Sequence, residues 1–195
     1  MKLYMTESSG NAYKVRLLLG LLKVPYEKVV VDFPGKEHKK APFLALNPRG
    51  QVPVLEDAGR AFWDSSACLV YVARKHGGDQ WLPTAAADMA EVMQWLALAG
   101  NEIQYGLQYG RNIARGMRQG DLAACQTMAR TALGALEQRL KGHDWLALGR
   151  PTIADLACYP YVALADEAKV PLADYPAVRA WIGRLEALPG WTPRA

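Results

Sequence analysis

The period of apolar positions changes along this chain, and the changes divide it. Lys2–Met5 alternates and predicts a short strand, and Ala12–Leu22 carries leucines at helical spacing. Tyr26–Val31 alternates and then runs β-branched, predicting a second strand. Strand, helix and strand in thirty residues form a βαβ unit, with parallel strands and a right-handed crossover. Lys39–Leu46 predicts a short irregular helix. Val52–Leu55 and Arg60–Phe62 flank the turn at Asp57, Ala58 and Gly59 and predict an antiparallel hairpin. Ser65–His76 then predicts a helix, stopped by Gly77 and Gly78. After a polar linker at 78–83 strand signals vanish, and Thr84–Met117, Asp121–Lys141, Thr152–Ala165 and Ala177–Leu188 read as amphipathic helices.

The order βαβ-α-ββα over residues 1–77 is that of an α/β thioredoxin-like domain, and 84–195 forms an all-α helical bundle behind it. A chain of 195 residues with 51% hydrophobic and 22% charged residues can bury the cores this requires. Apolar runs stay short of the ~18 residues a membrane span needs, and a strand starting at Lys2 leaves no room for a signal peptide. Cys68, Cys125 and Cys158 lie far apart and read as reduced thiols of a cytosolic protein.

Charge narrows the ligand. Residues 1–80 hold 12 Lys and Arg against 8 Asp and Glu, while residues 81–195 hold 11 of each. The excess suits an anionic ligand in the first part, and is too diluted by acids for a nucleic-acid face. Within that part Pro53 lacks an N–H and cannot sit in a paired central strand, so Val52-Pro53 is an edge or a cis turn. The peptide groups left unpaired there can bind an extended peptide as another strand. Asp64 and Ser65 open a helix, placing a carboxylate beside free N–H groups at its positive end. Together they predict a small, charged peptide ligand.

Five stretches in this order resemble the cytosolic glutathione S-transferases, serine-type and theta-like or bacterial. They are Lys2–Tyr4 with Tyr13–Leu19, the segment Asn47–Leu55, the pair Asp64-Ser65, the run Arg150–Asp155, and Tyr175–Trp181 followed by Leu188–Trp191. The resemblance implies glutathione as co-substrate without a metal, a small apolar electrophile, a homodimer, and detoxification chemistry in the cytoplasm. By the same likeness Ser9 falls at the catalytic position, with Asn11 second and Ser8 third. His38, Lys39 and Gln51 fall on the glycyl carboxylate, and Val52 and Pro53 on the cysteinyl unit. Asp64 falls on the γ-glutamyl ammonium and Ser65 on its carboxylate.

A free thiol has a pKa of ~8.5, and lowering it by about two units takes ~2.7 kcal/mol of preference for the anion. One hydrogen bond to a charged group supplies ~1.5–3 kcal/mol and a helix start ~0.3–1. A single hydroxyl at the start of the first helix is therefore sufficient. On the long helix Leu98, Glu102, Tyr105, Tyr109 and Asn112 share a face at spacings of four and three. Tyr105, Tyr109 and Asn112 are the candidate electrophile pocket if that face lines a cleft, and ordinary packing otherwise. Arg111 and Arg115 beside them either hold an anionic substrate group or face water. Thr152 and Asp155 have the spacing of a capping box. Two other functions fit the same fold: a non-catalytic adaptor, or a glutathione-dependent peroxidase or disulfide reductase.

Overall fold

A computed structural model describes residues 1–194. The chain forms two compact units, Met1–Gly78 together with the tail from Pro189 onward, and Asp79–Leu188. The sequence pattern groups that tail with the helical part. Instead it packs in the first unit, where the Tyr13 hydroxyl donates to the Thr192 carbonyl at 2.8 Å.

The first unit is built on a four-stranded sheet in the order β2-β1-β3-β4. β1 (Lys2–Met5) runs parallel to β2 (Glu27–Val30) and antiparallel to β3 (Val54–Asp57), which forms a hairpin with β4 (Arg60–Trp63). Alternation along β1 sends Leu3 and Met5 to one face, both fully buried. Tyr4 faces the other way, opposite Val54, into a cluster with Val31, Val52, Phe43 and Leu46. Three α-helices accompany the strands: α1 (Gly10–Leu21), α2 (Ala41–Leu46) and α3 (Ser65–Val72), with α1 and α3 packed on one another. The Val52–Pro53 peptide bond is cis, and the ladder starts at Val54 rather than at Val52, since Pro53 has no N–H to donate. α3 is shorter than its apolar pattern and passes into a π-helical turn at Ala73–Gly77. A helical turn, α4 (Gly78–Trp81), occupies most of the expected linker.

The second unit is helical throughout. The single helix expected over 84–117 is broken into α5 (Ala86–Gly100), a π-helical turn (Ile103–Gln108) and α6 (Tyr109–Ala114). The break falls at Asn101, whose φ of −114° and ψ of −94° leave the helical region. α7 (Leu122–Leu140), α8 (Ile153–Val162) and α9 (Pro176–Glu186) complete it; α5 packs on α8, and α7 on α9. Thr152 and Asp155 form the capping box of α8. Asp155 is fully buried and also accepts from the Leu146 N–H at 3.1 Å and the Trp181 indole N–H at 2.9 Å. Burial pushes its carboxyl up to about 6, against the pull of these donors. Among the described residues no helix is long and apolar enough to cross a membrane.

Candidate active site

Ser9 is the N-cap of α1. Its backbone is extended (φ −76°, ψ 112°), and its Oγ accepts the Ala12 N–H at 3.1 Å. A serine hydroxyl carries one donor and two acceptor positions, so this bond leaves the proton free to donate. Among the described residues that proton has no acceptor. The α1 N-terminus adds its own N–H dipoles at the same point. Ser8, by contrast, is exposed, and its carbonyl accepts from the Arg194 guanidinium at 3.2 Å.

Asn11, on the first turn of α1, accepts the Ser65 hydroxyl at its Oδ1, 3.4 Å away. The structure thereby brings the start of α1 against the start of α3. Asp64 caps α3, taking the Ser66 N–H at 2.8 Å. Its φ of +74° is unusual for a residue with a side chain and costs on the order of 1–3 kcal/mol. The cap bond holds it there, with the other carboxylate oxygen turned outward and 3.5 Å from Arg49 Nη1. The Asp64 side chain remains about half exposed and open to a cationic ligand group.

The turn before Pro53 is organised by a residue that the sequence reading did not single out. Asn47 is buried, takes the Arg49 N–H at 3.0 Å and donates its amide to the Gln51 carbonyl at 2.7 Å. Its Asn-Pro-Arg-Gly context, a side chain that bonds its own backbone two residues on, was the available signal. Gly50 completes the turn at φ +59°, where a Cβ would sit 2.6 Å from the His38 carbonyl. Lys39 lies alongside, its ammonium 3.4 Å from the Arg49 and Gly50 carbonyls. That position braces the turn and leaves the charge one residue from the exposed Gln51. His38 stacks on Phe33 with ring centroids 4.0 Å apart. Burial, and then the Lys39 charge, lowers its pKa and favours the neutral ring. Among the described residues, neither the N–H nor the C=O of Val52 is hydrogen-bonded.

In the second unit Tyr105 and Tyr109 meet edge to face, with centroids 4.9 Å apart, and Tyr105 is exposed. The Arg118 guanidinium lies 3.9 Å from the Tyr109 centroid. Asn112 is half-buried, and its backbone carbonyl accepts the Met117 N–H. Arg111 does not face water: it is buried and paired with Glu167 at 2.6 Å, a carboxylate that Arg115 shares at 3.1 Å. Burial with a partner fits a guanidinium better than an ammonium, because it is more weakly hydrated.

These arrangements belong to a known pattern. Residues 8–75 match the model of the glutathione S-transferase N-terminal domain, and residues 119–184 match that of the C-terminal domain. The chain belongs to the glutathione S-transferase family. It is similar to glutathione S-transferase 2 of Schizosaccharomyces pombe, with 32% identity over 96% of this chain and 91% of that one. A maleylpyruvate isomerase of a Ralstonia species is 30% identical over 92% of this chain and 89% of the relative. Among solved structures, one described as a possible glutathione S-transferase from Rhodopseudomonas palustris superposes with a TM-score of 0.92. It shares 37% of its residues and covers 99% of this chain and 97% of its own. The family is one of enzymes, and the thioredoxin-like unit followed by a helical unit is its fold.

Proposed function

We propose that this glutathione S-transferase conjugates the glutathione thiolate to a small apolar electrophile, with Ser9 as the catalytic residue. The observation that carries the reading is the Ser9 hydroxyl proton, unpartnered at a helix N-terminus beside the Asn11–Ser65 contact. Glutathione would lie along the first unit. Asp64 takes its γ-glutamyl ammonium, and Ser65 with the first N–H groups of α3 takes its α-carboxylate. The cysteinyl unit pairs with the open N–H and C=O of Val52, next to Pro53. Gln51 and Lys39 hold the glycyl carboxylate from one end of the Asn47 turn, with His38 behind them. The thiol proton leaves to solvent, and Ser9 donates to the sulfur anion. The sulfur then forms a bond to the electrophilic carbon while the leaving group departs to solvent with its bonding electron pair, or, in an addition, while the π electrons shift onto the neighbouring atom, which takes a proton from water.

On this reading the unit of residues 1–78 with the tail from Pro189 binds glutathione, and the helical unit, 79–188, binds the electrophile, where Tyr105 and Tyr109 offer apolar ring faces and Asn112 a polar amide. A cytoplasmic homodimer with a detoxifying role goes with it. An adaptor would need neither the Asp64-Ser65 pair nor a hydroxyl with a free proton. Thiolate absorbance of bound glutathione, titrated against pH in the native protein, Ser9→Ala and Asn11→Ala, tests the assignment. A shift in Ser9→Ala supports it, and a shift in Asn11→Ala alone passes the role to Asn11. Turnover of an organic hydroperoxide in place of an aryl halide would move the reaction class to peroxidase.

A further inference from the structure

The end of the described chain returns to its first loop. From Pro189 the tail lies along α1 so closely that a Cβ on Gly20 would sit 3.1 Å from Thr192 Oγ1 and 3.5 Å from the Gly190 carbonyl. Gly190 itself has a φ of +88°, a conformation open to glycine. The tail is anchored by the Tyr13 hydroxyl on the Thr192 carbonyl, and by Trp191 edge-on to the Tyr13 ring with centroids 6.4 Å apart. Past that anchor, Arg194 Nη2 donates to the Ser8 carbonyl at 3.2 Å.

This carbonyl belongs to the peptide unit that ends in the Ser9 N–H, which donates to the Thr6 carbonyl at 3.2 Å. On the other side of the loop Glu7 is held by Arg16 at 3.2 Å and by Lys28. Among the described residues the Ser8 carbonyl has no second donor. The Tyr13 and Trp191 contacts already fix the tail on α1, so the Arg194 bond adds little to folding. Its effect falls on the loop that aims the Ser9 hydroxyl. A donor misplaced by about 1 Å loses much of its effect on a reacting atom.

We propose that Arg194 is a positioning residue and that the tail acts as a strap across the loop, orienting Ser9 toward the glutathione sulfur. The proposal rests on the Ser9 reading given above. A guanidinium suits the task, because a charged donor makes a shorter and stronger bond to a carbonyl than a neutral one does.

The test uses the full chain carrying Arg194→Ala, Arg194→Lys or Ser9→Ala. Hydrogen exchange at the Ser9 and Ala12 amides reads the loop, and thiolate absorbance of bound glutathione reads the sulfur. In Arg194→Ala the loop amides should exchange roughly three- to tenfold faster, the scale of one lost hydrogen bond. The bound thiol should become harder to ionise and kcat should fall, with glutathione affinity and melting temperature close to the native values. Arg194→Lys, which still donates, should recover most of the loss. Native exchange and native thiol ionisation in Arg194→Ala overturn the strap, even where Ser9→Ala shows that the serine matters. It is equally overturned by an Arg194→Lys no better than Arg194→Ala, or by a loosened loop whose thiol ionises normally while Ser9→Ala shifts it. If Ser9→Ala leaves the bound thiol unchanged, the serine assignment falls and the orienting role of Arg194 falls with it, even where Arg194→Ala loosens the loop.

Discussion

The Trp181 indole N–H donates to Asp155 Oδ1 at 2.9 Å, tying the middle of α9 to the first turn of α8. Both residues are fully buried. The same carboxylate takes the Thr152 N–H at 2.9 Å and the Leu146 N–H at 3.1 Å, so one side chain joins a cap, a loop and a second helix. Trp181→Phe deletes one donor and part of a packed ring. It should cost about 2–4 kcal/mol, combining a hydrogen bond to a charged group with lost packing. Urea unfolding followed by circular dichroism measures this.

The same carboxyl makes stability depend on pH. Its pKa is about 6 in the folded chain, against an ordinary value of 3.8. Between these the folded state binds the extra proton, so the Asp155 contribution is full below about pH 4 and is lost as pH rises toward 6. The span corresponds to roughly 2–3 kcal/mol. Asp57 acts in the opposite sense: bonds from Lys75 and Tyr71 lower its pKa, and its contribution is lost as pH falls. Subtracting the Asp155→Asn curve from the native one isolates the first group. The penalty of the substitution should grow from pH 7 to pH 4, and a flat difference would contradict the assignment.

Asp64→Ala should weaken glutathione binding by ~1.5–3 kcal/mol, the worth of a charge-assisted bond to the ammonium. Relief of the positive φ does not compensate, because alanine is strained there as well. Calorimetric titration gives the number directly, and unchanged affinity with an intact fold rejects the site.

Removing the Ser9 hydroxyl should raise the bound thiol pKa by about one to two units, equivalent to ~1.5–3 kcal/mol. Turnover near neutrality should fall roughly ten- to a hundredfold with a much smaller change in glutathione affinity, the pattern of a bond made to the anion. Rate profiles against pH, rather than single rates, distinguish this from a general loss of folding.

Gly50→Ala places a methyl group 2.6 Å from the His38 carbonyl and 2.9 Å from the Lys39 ammonium, at a φ of +59°. We expect a loss of about 1–3 kcal/mol in stability from the backbone strain alone. Glutathione affinity should fall with it, as Gln51 and Val52 follow the same turn. Matched thermal melts and calorimetry on the variant check both effects.

Element identity in the first unit was legible because its signals are local. Ser9 and Asp64 are N-cap types, Pro53 bars a ladder position, and Asp57–Gly59 closes a hairpin. The break at Asn101 and the π turn after it were not. Apolar spacing of three and four is satisfied on either side of a one-residue insertion, so the period does not register it. For Arg111 the sequence offers an anionic substrate group or water as the partner of its charge and not Glu167, which lies 56 residues on and is brought to it only by packing. The Trp181–Asp155 bond stayed hidden for a related reason: a hydrogen bond across elements leaves no period in the chain.

The first unit is assembled from both sides of residues 79–188. On a ribosome its sheet residues emerge early, while the stretch from Pro189 that covers Tyr13 is translated only after the whole helical unit. Domains fold as units, broadly in the order of synthesis. The nascent chain therefore carries an unfinished α1 face throughout synthesis of the helical unit, and the loop bearing Ser9 gains its Arg194 contact only once that unit has been made.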